Sequence, residues 1–130
     1  MLVGETPTIY GDGEQSRDIT NIQNIVHANL LVSEAAAESV SGKVFNVATG
    51  RSVTLNEAVE ILRQVTGYSG EVRYAEERGG DVKHSLADIT LAKQCFGYEP
   101  LVQFREGLER TAAWYKSTAK PANHATRTGN

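Results

Sequence analysis

The stretch Thr54-Leu55-Asn56-Glu57 constrains this chain more than any other. Threonine before a helix and glutamate three residues on satisfy each other's unpaired first-turn amides, so the four residues form a capping box. Leu55, Ala58, Val59, Leu62 and Val65 then return at helical spacing until Gly67 ends the run. An amphipathic helix over these positions is the firmest local expectation.

Shorter elements are arranged around it. PTIYG (7–11) reads as a short strand running into the glycine-rich turn GDGEQ, and Arg17–Thr20 as a second extended piece. From Asn24 an apolar pattern and an alanine-rich stretch to Ala37 predict a helix, capped by Asn21 or Asn24 and stopped at Ser41-Gly42. KVFNVA (43–48) reads as a mostly buried strand and EVRYA (71–75) as another. A short helix is expected from Asp88 to Phe96 with Gly97 as its cap, and a last one from Phe104 to Tyr115. Its stripe of Phe104, Leu108, Thr111, Ala112 and Tyr115, edged by Trp114, reads as core.

The expected fold class is α+β, related to α/β: a small mixed domain of short strands and about four helices. No long strand is followed by a glycine-rich phosphate turn and a helix, so no dinucleotide site and no N-terminal Rossmann half is expected. Residues 1–116 form the expected domain, and the tail 117–130, which lacks large apolar residues, is expected to be disordered. Met1-Leu2-Val3-Gly4 resembles the last turn of a helix more than a domain's natural start.

A chain of 130 residues fits one domain. Its net charge of -3 argues against a nucleic-acid partner, whose phosphates call for a basic surface. One cysteine, Cys95, excludes an internal disulfide, and no apolar run has the length of a membrane span or a signal-peptide core. A soluble cytoplasmic protein is expected. His27, His84 and His124 have no partners at metal-ligand spacing, so no metal is assigned; His84 is expected to face solvent and Cys95 to be a buried inert thiol.

RGGDVKHSLAD (78–88) carries the chemistry. Glycines let backbone approach a ligand, a guanidinium matches phosphate in bidentate fashion, and a carboxylate accepts hydrogen bonds from hydroxyls. That combination suits a phosphorylated, hydroxyl-bearing small molecule. The competing reading is a solvated turn whose Arg78 and Asp81 face water, with Arg17-Asp18 a surface ion pair.

Four blocks in order, GDGEQSRD (11–18), FNVATGRSVTLNE (45–57), RGGDVKHSLADITLAK (78–93) and GYEPLVQFREGLERTAAWY (97–115), resemble one family. They look like the C-terminal, substrate-binding portion of the extended short-chain dehydrogenase/reductases. The nearest likeness is to NAD-dependent UDP-N-acetylglucosamine or UDP-glucose 4-epimerases. The resemblance implies that Arg17 and Arg78 contact a UDP diphosphate and that Asp81 accepts hydrogen bonds from the ribose. It places Thr8 and Tyr10 at the uracil and Ser85 beside the sugar, where a small residue admits an N-acetyl group. Gly79 stands where the family has proline, Ile19 where an aromatic is common, and Asn24 where aspartate is common.

The family's glycine-rich NAD loop and Tyr-x-x-x-Lys pair have no counterpart. Four residues after Tyr10, Tyr68, Tyr74, Tyr98 and Tyr115 stand Glu14, Val72, Arg78, Val102 and Ala119. The resemblance therefore implies a UDP-sugar-binding portion without catalysis of its own, NAD belonging to the intact family member. Alternatives are a stand-alone UDP-sugar module, a self-associating remnant, or the same portion of a sugar-nucleotide dehydratase or decarboxylase. A homo-oligomer or a separately encoded NAD-binding half are the expected partners.

Overall fold

The computed structural model of the chain describes residues 1–2 and 5–118. Val3 and Gly4 of the helix end read at Met1–Gly4, and residues 119–130 of the tail read over 117–130, lie outside the described residues, while Ser117 and Thr118 belong to the last helix. Nine elements follow in order: β1 (Thr8–Tyr10), β2 (Ser16–Arg17), α1 (Ile22–Glu34), α2 (Ala37–Val40), β3 (Val53–Thr54), α3 (Leu55–Thr66), β4 (Arg73–Ala75), α4 (Thr90–Phe96) and α5 (Phe104–Thr118). The expected small mixed domain is found, with five helices rather than about four.

Two ribbons replace a continuous sheet. β1 pairs with β4 in parallel, Ile9 opposite Tyr74, and β2 pairs antiparallel with β3, Arg17 opposite Val53. The extended piece expected over 17–20 shrinks to Ser16–Arg17, because its partner is only Val53 and the α3 cap residue Thr54. KVFNVA forms no strand: Val44 is 88% exposed, while Phe45 and Val47 pack against the core with side chains alone. The alternation was legible, but among the described residues no neighbour supplies a ladder, and a strand exists only where its backbone is paired.

The core joins α1, the 45–48 segment, α4 with the Ile89 that precedes it, and Tyr98 just beyond its Gly97 cap. Ala28, Ala48, Ile89, Ala92 and Tyr98 are its buried members, with Phe45 and Phe96 in edge-to-face contact at 5.0 Å beside them. Small residues predominate, so backbones approach closely and polar groups must be matched. The Tyr98 hydroxyl donates to the Ala48 carbonyl at 2.8 Å. Asn24, fully buried, donates from Nδ2 to the Val102 carbonyl at 2.8 Å and accepts the Val102 N–H on Oδ1 at 2.9 Å. Asn24 is thus a cross-link between α1 and the approach to α5; Asn21 caps α1 instead, accepting from the Gln23 N–H.

The predicted helix from Asn24 to Ala37 breaks at Ala35, whose extended backbone (ψ 153) ends α1 and lets α2 turn to meet α4. The capping box at Thr54 and Glu57 is present in full, and Gly67 closes α3 in the left-handed region at φ 75. Yet α3 holds no fully buried side chain, because it leans on α5 along one side only. The aromatic end of α5 departs from expectation for the same reason: Trp114 and Tyr115 are 59% and 54% exposed, and Thr111 is exposed too. Among the described residues α5 outruns what α3 covers. Cys95 is half-buried rather than enclosed, with Sγ 3.7 Å from Lys43 Nζ.

Replacing Asn24 with alanine leaves two buried backbone groups of Val102 unpaired. The expected loss is about 3 kcal/mol of unfolding free energy, read from the urea midpoint at unchanged slope. A loss below about 1 kcal/mol would show that water takes over both bonds.

Candidate functional site

Two segments more than sixty residues apart in sequence are laced together at Ser16. Its N–H donates to the Lys83 carbonyl at 2.8 Å, its carbonyl accepts the Ser85 N–H at 3.0 Å, and its hydroxyl lies 3.0 Å from His84 Nδ1. His84 is exposed, as expected, yet tied through that nitrogen. This short parallel bridge sets β2 against the glycine loop and so brings Arg17 beside Asp81.

The glycine turn reaches Ser16 by a route only glycine permits. Gly11 and Gly13 lie at φ 93 and 78, conformations costly for any residue with a Cβ. The Gly11 N–H donates to the Ala75 carbonyl at 2.9 Å, extending the β1–β4 pairing by one bond. Gln15 is buried and donates from Nε2 to the Tyr10 carbonyl at 2.5 Å.

Arg17 does not pair with its neighbour Asp18. Its Nη2 meets Asp81 Oδ1 at 3.0 Å, while Nη1 donates to the carbonyls of Ser16 at 2.9 Å and Lys83 at 3.4 Å. The guanidinium is therefore oriented, and its Nε–H and one Nη2–H have no acceptor among the described residues. A partly exposed ion pair of this kind contributes about 0–1 kcal/mol, so its effect is direction more than stability. Asp18 turns away to the 49–50 turn, accepting from the Thr49 N–H at 3.0 Å and the Gly50 N–H at 2.9 Å. The surface pair between Arg17 and Asp18 is not formed.

Arg78 sits over the Tyr10 ring, its Cζ 3.8 Å from the centroid. A cation over an aromatic face gains about 0.5–1 kcal/mol at exposed sites, and the contact holds the guanidinium beside β1. Thr8 shares the exposed face of β1 with Tyr10, opposite the buried Ile9. Ser85 is joined through its backbone, with its side chain open to solvent. Tyr10, Arg17, Arg78, Asp81 and Ser85 are thus gathered along one edge, and Thr8 lies one strand position further out.

Lys83 adds a third cation, bridging to Asp12 at 3.3 Å. The Glu14 N–H and then the Lys83 ammonium hold the Asp12 carboxyl below its ordinary 3.8. Asp12 and Gln15 were not picked out from the sequence; the paired left-handed glycines around Asp12 were the available signal. The arrangement offers an anion three cations and exposed backbone. Among the described residues no group of three or more His, Cys, Asp or Glu stands close enough to hold a metal ion. A separate cleft of about 780 Å³, with Arg51, Val59, Arg63, Tyr74 and Phe104 in its walls, borders none of the six residues named above.

Comparison with known proteins gives a consistent result. A family model described as GDP-mannose 4,6 dehydratase matches residues 1–111. A UDP-glucuronate 4-epimerase of Thermodesulfobacterium geofontis is 33% identical over 109 residues, 83% of this chain and 32% of that protein. The structure of a UDP-glucose 4-epimerase from Thermotoga maritima with UDP-glucose superposes at a TM-score of 0.85 and 41% identity, over 92% of this chain and 38% of the other. A UDP-N-acetylglucosamine 4-epimerase from Methanobrevibacter ruminantium, in complex with UDP-N-acetylmuramic acid, does so at 0.79 and 44%, over 91% and 37%. A UDP-glucuronic acid decarboxylase and a dTDP-glucose 4,6-dehydratase are also similar, at 29% and 28% identity. The chain spans about a third of the length of the curated relatives it matches.

Because Asp12 is depressed in the folded state, the tether it forms is present at neutral pH and is lost as pH falls through that lowered value. The Glu14 amide proton, observed by NMR, should report a titration below 3.8 that Asp12→Asn abolishes. A midpoint at or above 3.8 would contradict the tether.

Proposed function

The chain belongs to the GDP-mannose 4,6 dehydratase family, and from that premise we propose that it is the UDP-sugar-binding portion of an NAD-dependent sugar-nucleotide 4-epimerase. The observation that carries the reading is the meeting of positions 10 and 17 with 78, 81 and 85 along one edge. In this reading Arg17 and Arg78 clamp the diphosphate, Asp81 receives the ribose hydroxyls, Thr8 and Tyr10 border the uracil, and Ser85 faces the sugar. Arg17, already oriented by Asp81, has donors to spare; Arg78 is held by a ring that a base can share. Catalysis by remote binding fits such a division of labour, since a sugar that must turn between two hydride transfers has to be anchored through its nucleotide.

NAD occurs in related structures, among them a UDP-glucuronic acid 4-epimerase of Bacillus cereus. The described residues of this chain do not fit it. A dinucleotide needs a glycine turn that opens onto a helix N-terminus, whereas the turn after β1 leads into β2. No catalytic step is therefore assigned to this chain. A decarboxylase or dehydratase portion would use the same nucleotide contacts.

A second reading, a self-associating remnant, draws on α1. Ile22, Val26 and Leu30 form an exposed stripe at four-residue spacing, 68%, 52% and 59% accessible, wide enough to seat the same face of a second copy.

Isothermal titration with UDP and UDP-N-acetylglucosamine decides between them. Saturable binding is expected, with Arg78→Ala weakening it about 10- to 100-fold, the equivalent of one charge-assisted contact of about 1.5–3 kcal/mol, while the melting temperature falls by no more than about 5 °C. A change of less than about threefold would remove Arg78 from the phosphate. Ser85→Tyr is expected to reject the N-acetylated sugar more than the plain one. Absent binding at millimolar ligand, together with oligomers that Val26→Glu dissolves, would favour the remnant.

A further inference from the structure

Arg17 follows the glycine turn by four residues, so whatever fixes that turn fixes the guanidinium. The turn is seated on the N-terminus of α3. Two first-turn amides there, which a helix cannot pair internally, donate to it: Leu55 N–H to the Gln15 carbonyl at 3.2 Å and Asn56 N–H to the Gly13 carbonyl at 3.1 Å. Gly13 and Asn56 interlock, since a Cβ at Gly13 would fall 2.1 Å from Asn56 Oδ1.

The Asn56 side chain is fully engaged. Its Nδ2 donates to the Asp12 carbonyl at 3.1 Å and to Glu14 Oε1 at 2.5 Å, and its Oδ1 accepts the Tyr74 hydroxyl at 2.9 Å. Two acceptors on one side and a hydroxyl donor on the other allow only one orientation of the amide. Asn56 thereby ties the turn at two points to β4, the strand that holds Tyr10 through β1. On the far side, β2 is in register with β3, Arg17 opposite Val53, immediately before the α3 cap. The arginine is thus built out from α3 by three routes: the two backbone amides under the turn, the β2–β3 pairing, and the Asn56 side chain, which alone also reaches β4.

We propose that Asn56 is a positioning residue for the nucleotide site, acting through the glycine turn to aim Arg17 at the diphosphate. The inference rests on the reading of Arg17 as a diphosphate contact, but the coupling from Asn56 to Arg17 is independent of it. Aspartate at this position keeps the shape and the acceptor for Tyr74, while turning an oxygen toward the Asp12 carbonyl and the Glu14 carboxylate. The turn should then be pushed off α3.

The test has two arms, both on the full chain. In the first, without ligand, the Arg17 Nε–H resonance in Asn56→Asp is expected to shift and broaden. Adding Glu14→Gln, which returns a donor to face the new carboxylate, should restore it. An unmoved resonance overturns the proposal. In the second, UDP affinity is expected to fall at least tenfold in Asn56→Asp, to recover to within threefold in the double variant with Glu14→Gln, and to fall no further when Asn56→Asp is added to Arg17→Ala. Additive losses in that last pair mean that Asn56 acts on the whole fold and overturn the positioning role. Should the wild-type chain not bind UDP, the nucleotide reading fails by itself, and the first arm still decides whether Asn56 aims Arg17.

Discussion

The backbone bridge at Ser16 is the constraint on which the candidate site depends. One residue gives its N–H to Lys83 and receives the N–H of Ser85, and by doing so converts two distant loops into one surface. Apart from the two residues of β2, neither segment has regular structure of its own to hold it there. Remove the bridge and Arg17 loses both the carbonyl of Lys83 and the carboxylate of Asp81. The neighbouring contacts, Arg78 on Tyr10 and Lys83 on Asp12, are each weak and exposed. They set directions once the bridge has set distances.

The bridge is placed in turn by α3, whose role is unlike that of an ordinary amphipathic helix. Its apolar stripe leans on α5 and leaves an apolar groove beside Leu62, Leu108 and Tyr115. Its N-terminus is the more consequential end, because the capping box uses Thr54 and Glu57 for two amides and leaves Leu55 and Asn56 to hold the glycine turn. The core under α1 and α4 is made tight by alanines and by the Asn24–Val102 pair, a buried polar match in place of apolar bulk. Both devices suit a small domain with little volume to bury.

The residues that meet around Ser16 were named from the sequence, and their wiring was not. Arg78 and Asp81 could be named from residue types and spacing, and Arg17, Ser85 and Tyr10 from the family likeness; the five stand along one edge. That Asp81 would take Arg17, and that Asp18 would leave it for Thr49 and Gly50, could not be read, because an ion pair is chosen by distance in space. Asn56 sat inside the most recognisable motif of the chain and passed there as a filler of the capping box. Its side chain reaches residues 12, 14 and 74, contacts which no local pattern encodes. The strand expected at 43–48 failed for the opposite reason, since alternation is local but pairing is not.

What the sequence determined by itself is what depends on near neighbours: the start and stop of α3, the glycine conformations of the 11–13 turn, the close of α4 at Gly97, and the family likeness that four ordered blocks carry. Capping, left-handed glycine and helical period all act within about one turn of chain, so they are written in order along it. The tertiary structure alone decided which polar groups meet, which end of α5 stays uncovered, and that Asn24 crosses the core instead of capping a helix. Those outcomes depend on loop closure and on competition among donors and acceptors brought within about 3 Å, a distance that separation along the chain does not report.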